Sequence, residues 1–382
     1  MTLYFDHCAT TPPFEEVVEA MTEVMQRYYG NPSSIHHIGM EAERMVVRAR
    51  ALIAQLLGVK SSEIVFTSGG TESNNLAVKG AAFQYASRGR HLITTELEHA
   101  SVYEACKQLE TFGYEVTYLR PDAEGRIRPE DVEAALREDT TLVSIMHVNN
   151  EVGAIQPIRE IGQLLKGRPR TLFHVDAVQG FAKLPLEPAQ WGIDLLSVSA
   201  HKLRGPKGIG FLYRRHGVQL QPLLAGGGQE HGIRSGTENV PAIVGMAKAV
   251  RMSMERREQA EAKLRALRAR FLNRLASPPS IRVNGSPEPE RMAPHIVHIS
   301  VPGIRSEIIV HALEKQELFI STKSACSSGE MEPSRVLLAM GLDRAAASSG
   351  LRVSFSSDHT VQEADRLADA LIQAIEELAR LS

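Results

Sequence analysis

Short apolar runs alternate with amphipathic stretches of helix length between residues 60 and 215 of the chain. The apolar runs lie at 63–67, 91–95, 115–119, 141–146, 171–175, 195–199 and 208–213. The stretches at 71–86, 100–112 and 157–166 have apolar spacing that predicts helices. Apolar strands that alternate with helices predict an α/β fold with a mostly parallel sheet covered on both faces.

The second half of the chain has a different pattern. A charged stretch at 247–275 predicts one long, exposed helix, which bridges two domains or is simply a solvated surface helix, the interpretation that composition alone favours. Beyond it, apolar runs mix with helical stretches, and the last of these begins at a capping box formed by Thr360 and Glu363. These elements predict a smaller α/β domain. The apolar runs lie at 296–300 and 351–355, and the helical stretches near 305–316, 333–340 and 361–380.

Composition argues against nucleic-acid-binding proteins, membrane proteins and disulfide-rich proteins. The chain has 382 residues, which suggests two or three folding units, and its 43 Lys+Arg against 45 Asp+Glu give a net charge of −2. A near-neutral balance argues against direct nucleic-acid binding. With no apolar run of about 20 residues and no signal-peptide pattern, we expect a soluble, cytoplasmic protein without a membrane partner. Three cysteines are too few for a disulfide scaffold.

Three motifs follow predicted strands, and each has an ordinary structural alternative. Ser68-Gly-Gly-Thr-Glu-Ser73 opens a predicted helix, where it can bind an anion or simply form a glycine turn. Asp176 ends a strand, where it can face a ligand or cap the next turn. Lys202 follows His201 at the end of another strand, where a desolvated amine is a candidate for Schiff-base chemistry.

Taken together, these motifs match the requirements of pyridoxal 5′-phosphate (PLP). PLP needs a lysine for its aldehyde, a carboxylate for its ring nitrogen and a helix N-terminus for its phosphate. A flat side chain over the ring and a donor to the phenolic oxygen complete such a pocket. The chain supplies candidates for all five roles at strand ends: Lys202, Asp176, Gly70 with Thr71, His99 and Gln179.

The chain resembles the cysteine desulfurases of the NifS/IscS type, and its loop around Cys326 resembles group I of that family. The motifs run in the family's order along essentially the whole chain. They are Asp6-His-Cys-Ala-Thr-Thr11, Gly30-Asn-Pro-Ser-Ser-Ile-His36, Thr67-Ser-Gly-Gly-Thr-Glu-Ser73, His147-Val-Asn-Asn-Glu-Val-Gly153, His174-Val-Asp-Ala-Val-Gln179, Ser199-Ala-His-Lys202, Gly226-Gly-Gly-Gln-Glu230, Arg234-Ser-Gly-Thr-Glu-Asn239 and Ser324-Ala-Cys-Ser-Ser328.

The resemblance implies a PLP-dependent transferase of fold type I, in the class V aminotransferase superfamily, with a mostly parallel seven-stranded sheet. It implies a large PLP-binding domain at 12–255 and a small domain formed by 1–11 with 256–382. The small domain would carry a mobile loop at about 321–333 with the catalytic cysteine. It further implies a homodimer with two active sites at the interface.

The resemblance also assigns residue roles. Lys202 would bind the PLP aldehyde, Asp176 the pyridine nitrogen and Gln179 the phenolic oxygen. His99 would stack on the ring and transfer protons. The phosphate would be held by Gly70, Thr71, Ser199 and His201, with Thr237 from the partner subunit. Asn150, also expected at the cofactor, and Arg352 would hold the substrate carboxylate.

The three cysteines receive different interpretations. Cys326 lies in a Ser/Gly-rich stretch that predicts an exposed loop, and within this motif set it is the expected nucleophile. Cys106, on a predicted helix, is expected to be a core thiol. Cys8 is expected to have a packing role in the interior, and the alternative that it is a second accessible thiol stays open. No Cys/His cluster has convincing zinc spacing, so no metal site is expected.

The expected reaction converts L-cysteine to L-alanine and leaves a persulfide on Cys326. An acceptor protein for iron–sulfur assembly or tRNA thiolation would then take the sulfur. Selenocysteine lyase, an aminotransferase and a sulfur donor for DNA phosphorothioation are alternatives within the superfamily. A nicotinamide-dependent oxidoreductase is disfavoured, because such an enzyme needs a G-x-G-x-x-G motif. The spacing of Gly205, Gly208 and Gly210 does not match that motif. A non-catalytic scaffold subunit is disfavoured by the complete set of PLP candidates.

Overall fold

The computed structural model describes residues 2–276, 280–322 and 333–380. Cys326 therefore lies outside the described residues. The strands are β1 Leu3–Tyr4, β2 Ile64–Thr67, β3 His91–Thr95, β4 Glu115–Leu119, β5 Thr140–Ser144, β6 Leu172–Asp176, β7 Leu195–Ser199, β8 Gly210–Arg214, β9 Arg282–Asn284, β10 Ile296–Ser300, β11 Leu318–Phe319 and β12 Gly350–Ser354. The helices are α1 Glu15–Arg27, α2 His37–Leu57, α3 Gly70–Gln84, α4 Ala100–Thr111, α5 Pro129–Ala135, α6 Ile158–Leu165, α7 Val240–Glu255, α8 Arg257–Leu275, α9 Ser306–Glu314, α10 Arg335–Ala339, α11 Arg344–Ser348 and α12 Val361–Ala379.

A seven-stranded sheet forms the centre of the molecule. Its strand order is β2-β8-β7-β6-β5-β3-β4. β8 runs antiparallel to both of its neighbours, and the other pairs are parallel. β3, β5, β6 and β7 are buried along their whole length, as expected for strands covered on both faces. The predicted fold class and the mostly parallel sheet are confirmed.

The charged stretch at 247–275 is not one exposed helix, so that prediction is wrong. The chain forms two helices, α7 and α8, which meet at Arg256. α7 begins earlier than predicted, at Val240, and nine of its residues are buried. At this break, the guanidinium of Arg256 lies 5.0 Å from the centre of the Phe14 ring, which is a cation–π contact.

A second group of elements follows the central sheet in sequence. β9, β10 and β12 form an antiparallel sheet, and β1 pairs with β11. Leu3 and Phe5 pack in one apolar cluster with side chains of α8, α9, β10, β12 and α12. The capping box at the start of α12 is present as predicted. The domain boundaries at residues 12 and 255 remain a prediction.

Candidate active site

The candidate site lies at the carboxyl edge of the central sheet. Asp176 is the last residue of β6, and Ser199 is the last residue of β7. Gly70 begins α3 shortly after β2 ends, and His99 precedes α4 after β3 ends. Ligands of open α/β sheets collect at this edge. The fold therefore carries residues that are far apart in sequence to one place.

One cavity of about 170 Å³, here called the active-site cavity, brings most of the predicted site residues together. The predicted residues that line it are Gly70, Thr71, His99, Asn150, Asp176, Gln179, Ser199, His201, Lys202 and Arg352. Cys8, Asn74, Ser101 and Val178 also line the cavity. Two predicted residues are not part of it: Thr237 is exposed elsewhere, and Cys326 lies outside the described residues.

Lys202 is held at the cavity by the backbone of the N-terminal segment. Its Nζ atom donates hydrogen bonds to the carbonyl oxygens of Cys8 and Ala9, the latter at 2.5 Å. Burial lowers the pKa of Lys202 to about 8, and the nearby cations Arg352 and Lys183 act in the same direction. A substantial neutral fraction near pH 8 makes this amine a competent nucleophile for an aldehyde.

Asp176 supplies a buried carboxylate without a cationic partner. Its Oδ2 atom accepts a hydrogen bond from Asn74 Nδ2 at 2.7 Å, and its Oδ1 atom accepts one from the backbone N–H of Val178 at 3.0 Å. It forms no ion pair with any residue in the described ranges. A buried carboxylate in this state favours a ligand that brings positive charge.

The N-terminus of α3 forms a narrow anion-binding edge. Gly69, just before the helix, has φ = 147°, a conformation that favours glycine. A Cβ atom on Gly70 would lie 2.9 Å from a methyl carbon of Val178 and 3.5 Å from the Cβ atom of Ser199. Glycine therefore leaves room beside the first backbone N–H groups of a 15-residue helix.

His99 and Gln179 present polar groups to the same cavity. His99 caps α4, because its Nδ1 atom accepts from the backbone N–H of Ser101 and lies 2.8 Å from the Ser101 hydroxyl. Gln179 Nε2 donates to the carbonyl oxygen of Cys8 at 3.1 Å. Its Oε1 atom is buried without a partner among the described residues. The ring of His99 is thus fixed in place, and Gln179 retains unused hydrogen-bonding capacity.

Arg352, on β12, lines the cavity although its side chain is 1% exposed. One guanidinium nitrogen donates to Asp6 Oδ1 and another to the carbonyl oxygen of Asn150, each at 2.8 Å. Burial lowers the pKa of Arg352, but Cys8 and the Asp6 carboxylate outweigh this and raise it above its ordinary value. The guanidinium is therefore permanently charged and suits a carboxylate ligand.

The segment that carries Thr237 is tied to the start of α3. Arg234 donates two hydrogen bonds to Glu72, at 2.8 and 3.3 Å. Burial raises the pKa of Glu72, but the hydrogen bonds from Arg234 and Ser68 outweigh it and bring that pKa below its ordinary value. Thr237 itself is exposed and does not line the cavity of its own chain.

Asn74, Asp6 and the carbonyl groups of Cys8 and Ala9 are site elements that the motifs of the sequence do not indicate. Asn74 lies one helical turn after Gly70 on α3, so its place on the cavity face is a signal that the spacing contains. Asp6 lies in a motif that was recognised without a role. The two carbonyl groups have no side-chain signal at all. Cys106 is buried in the core as predicted, and Cys8 is buried at 2% exposure while lining the cavity.

Glu98, next to His99, is a buried carboxyl group that was also missed. Its Oε1 atom accepts from the Thr95 hydroxyl and from the Met146 N–H, each at 2.9 Å, and Oε2 has no partner among the described residues. Burial raises the pKa of Glu98 to about 8 from an ordinary 4.5. Between pH 4.5 and about pH 8, Glu98 therefore keeps its proton in the folded protein and has lost it in the unfolded chain.

We expect this group to reduce stability as the pH rises from 4.5 to about 8, because the unfolded state binds fewer protons in that range. Glu98→Gln should unfold with a free energy about 2 to 4 kcal/mol higher than wild type at about pH 9, and with little difference at about pH 5. Urea unfolding at both pH values measures this. Glu96→Gln, which removes a partly exposed carboxylate, should follow the wild type. Parallel pH profiles for wild type and Glu98→Gln would contradict the assignment.

These residues fit PLP. The Asp176 carboxylate, which forms no ion pair with a described residue, matches a protonated ring nitrogen, and the glycine edge of α3 matches a phosphate. Lys202 offers an amine with a lowered pKa. The orphan Oε1 atom shows that Gln179 has capacity left for a ligand. The donor set therefore fits the groups of PLP.

Comparisons with known proteins agree with this geometry. The family described as "Aminotransferase class-V" matches residues 3–367. A protein named "Cysteine desulfurase IscS" from Dictyoglomus turgidum is 43% identical over 381 residues, which cover 100% of this chain and 96% of that protein. A solved structure titled "NIFS-LIKE PROTEIN" superposes with a TM-score of 0.91 at 38% identity, covering 99% of this chain and 100% of the other. Another, titled "SspA in complex with cysteine", has a TM-score of 0.82 at 38% identity, covering 93% and 99%.

The chain therefore belongs to the aminotransferase class-V family. Within it, the resemblance to cysteine desulfurases of the NifS/IscS type is confirmed. Members of these families depend on PLP in general. In the part of the chain that the structure describes, no helix is both long enough and apolar enough to cross a membrane.

Proposed function

We propose that this protein is a cysteine desulfurase that binds PLP in the active-site cavity and takes sulfur from L-cysteine. One observation carries the proposal: Lys202, with its lowered pKa, and the unpaired carboxylate of Asp176 line the same cavity at the start of α3. The choice of reaction is supported by a relative that is named cysteine desulfurase and is similar over the whole of this chain.

Each cavity residue has a role in holding the cofactor. Lys202 would bind the aldehyde carbon, Asp176 the ring nitrogen and Gln179 the phenolic oxygen. His99 would lie against the ring. The phosphate would be held by Gly70, Thr71, Ser199 and His201. When bound, PLP supplies the electron sink that allows a proton and then a substituent to leave the substrate amino acid.

The chain's own residues bind the substrate and move its protons. Arg352 stays charged while fully buried, so with Asn150 it would hold the L-cysteine carboxylate by a charge-assisted hydrogen bond. The neutral Lys202 amine would take the proton from the substrate α-carbon and return it later. His99, fixed by Ser101, would transfer a second proton.

Cys326 would perform the sulfur step. Its thiolate attacks the substrate sulfur, so a sulfur–sulfur bond forms while the substrate Cβ–S bond breaks. The electron pair of the broken bond stays with Cβ, which gains a proton and becomes the methyl group of L-alanine. The products are L-alanine and a persulfide on Cys326, and atoms and electrons balance without an external oxidant.

The proposal includes a homodimer and an acceptor protein. Thr237 is exposed and does not line the cavity of its own chain, which fits the proposed role of Thr237 of the partner subunit as a further phosphate contact. The proposed acceptor is a protein of iron–sulfur assembly or tRNA thiolation. The proposed location is the cytoplasm, where the persulfide cycle is protected from oxidation.

A product assay tests the proposal. Purified protein reconstituted with PLP should convert L-cysteine to equal amounts of L-alanine and, with dithiothreitol present, sulfide. Formation of pyruvate, or amino transfer to 2-oxoglutarate without sulfide, would overturn it. L-selenocysteine in a parallel reaction decides the substrate, since a much higher kcat/KM for selenocysteine would replace the proposal with selenocysteine lyase.

A further inference from the structure

A second cavity, of about 300 Å³, lies beside the active-site cavity, and Lys202 lines both. Its walls come from the N-terminal segment, from the loop after β7, from the start of α8 and from the segment after β12. The mechanism proposed above uses none of its other lining residues. It is a concave space larger than the active-site cavity itself.

The charge in this second cavity is strongly unbalanced. Besides Lys202, which is assigned to the cofactor, four basic side chains line it, namely Lys183, Arg204, Arg256 and Lys263. Among the lining residues, Asp358 is the one carboxylate, and it already pairs with Arg204. Arg256 lies 3.8 Å from Glu16, which does not line the cavity. Lys183 and Lys263 form no ion pair with any residue in the described ranges. In a chain with a net charge of −2, this is a local concentration of positive charge.

His295 gives a second, independent indication of a ligand. Its side chain is 1% exposed and lines the cavity, yet neither ring nitrogen has a hydrogen-bond partner in the described part of the chain. Buried polar groups are normally hydrogen-bonded. Burial and the nearby Lys183 hold the pKa of His295 well below its usual range, so the ring is neutral and one nitrogen is an unused donor.

Apolar side chains form the rest of the wall. Phe14, Leu203, Leu264 and Phe355 line the cavity together with Ala182 and Ala260. The hydroxyl groups of Ser356 and Ser357 add donors. Concave sites with apolar walls and a few convergent charged groups are typical of small-molecule binding.

We infer that the second cavity binds a small organic polyanion, a molecule with a carbon body and two or more carboxylate or phosphate groups. Its anionic groups lie against Lys183 and Lys263, next to the unpartnered ring of His295. The site is separate from the L-cysteine site, because Arg352 and Asn150 line the other cavity. The inference concerns binding and does not depend on the proposed reaction.

Isothermal titration calorimetry on the full-length, PLP-loaded protein tests this inference. Citrate serves as the carboxylate probe and fructose 1,6-bisphosphate as the phosphate probe, which distinguishes the two sources of charge. At least one probe should bind saturably at one site per chain. Lys183→Met and Lys263→Met should each weaken binding about tenfold or more, because each removes one charge-assisted contact.

Lys315→Met is the matched control, since Lys315 is exposed after α9 and does not line the cavity. It should bind like the wild type. Lys263 is exposed, so its variant keeps the test decisive even if Lys183→Met fails to fold. Absence of saturable binding by both probes, or wild-type affinity in Lys263→Met, would overturn the inference.

Discussion

Lys202→Ala should lose turnover of L-cysteine by about 10⁴-fold or more, because it removes both the covalent attachment for the cofactor and the base for the substrate α-proton. The amine is prepared for these roles by the fold. Burial lowers its pKa to about 8, and two backbone carbonyls from the N-terminal segment fix its position. L-Alanine release in a coupled assay measures the loss.

A lysine in the same loop provides the control. Lys207 is exposed and lies five residues further along the chain, so Lys207→Ala should retain wild-type turnover. Borohydride reduction followed by peptide mass spectrometry should fix the cofactor on Lys202 in both the wild type and Lys207→Ala. Cofactor trapped on another lysine, or turnover retained by Lys202→Ala, would remove Lys202 from its assigned role.

Cys326→Ser should stop sulfur transfer while leaving cofactor binding intact. A serine hydroxyl cannot accept sulfur as a persulfide, so transfer of labelled sulfur from L-cysteine to the protein should fall by about 10²-fold or more. The variant should keep the visible absorbance of the lysine-bound cofactor, because its cavity residues are unchanged.

Cys106→Ala is the control for loss of a thiol. Cys106 is fully buried in the core, and burial raises its pKa to about 12, so it is not reactive. Its variant should transfer sulfur at the wild-type rate.

Cys8→Ala resolves the case that the sequence left open, since Cys8 lines the active-site cavity. Labelled sulfur that remains on Cys326→Ser and disappears in Cys8→Ala would assign the nucleophile to Cys8.

The sequence was sufficient to predict where the chemistry lies, because the rules for strand ends are local. Asp176 and Ser199 end neighbouring strands, so a parallel sheet must bring them together. Gly70 and His99 begin helices that leave the same edge. The strand ends follow from the alternation of apolar and polar residues, whereas the grouping of these residues in one site rests on the PLP motif set and, for Ser199, on the family resemblance.

Other features depend on contacts between distant parts of the chain. The hydrogen bonds from Lys202 to the carbonyls of Cys8 and Ala9 span more than 190 residues, and backbone carbonyls are the same in every sequence. The break between α7 and α8 was missed because both halves consist of good helix formers. The break lies at Arg256, whose guanidinium packs over the Phe14 ring from the distant N-terminal part of the chain. The second cavity likewise exists only where the N-terminal segment, α8 and the segment after β12 meet.

The central claim is that L-cysteine leaves its sulfur on Cys326 as it becomes L-alanine. The most direct measurement incubates the PLP-loaded protein with one equivalent of L-cysteine without reductant, then combines peptide mass spectrometry with alanine quantification. We expect a gain of one sulfur atom on the peptide that contains Cys326, together with an equal amount of L-alanine. Alanine formed without added sulfur on that peptide, or sulfur found on Cys8 instead, would contradict it.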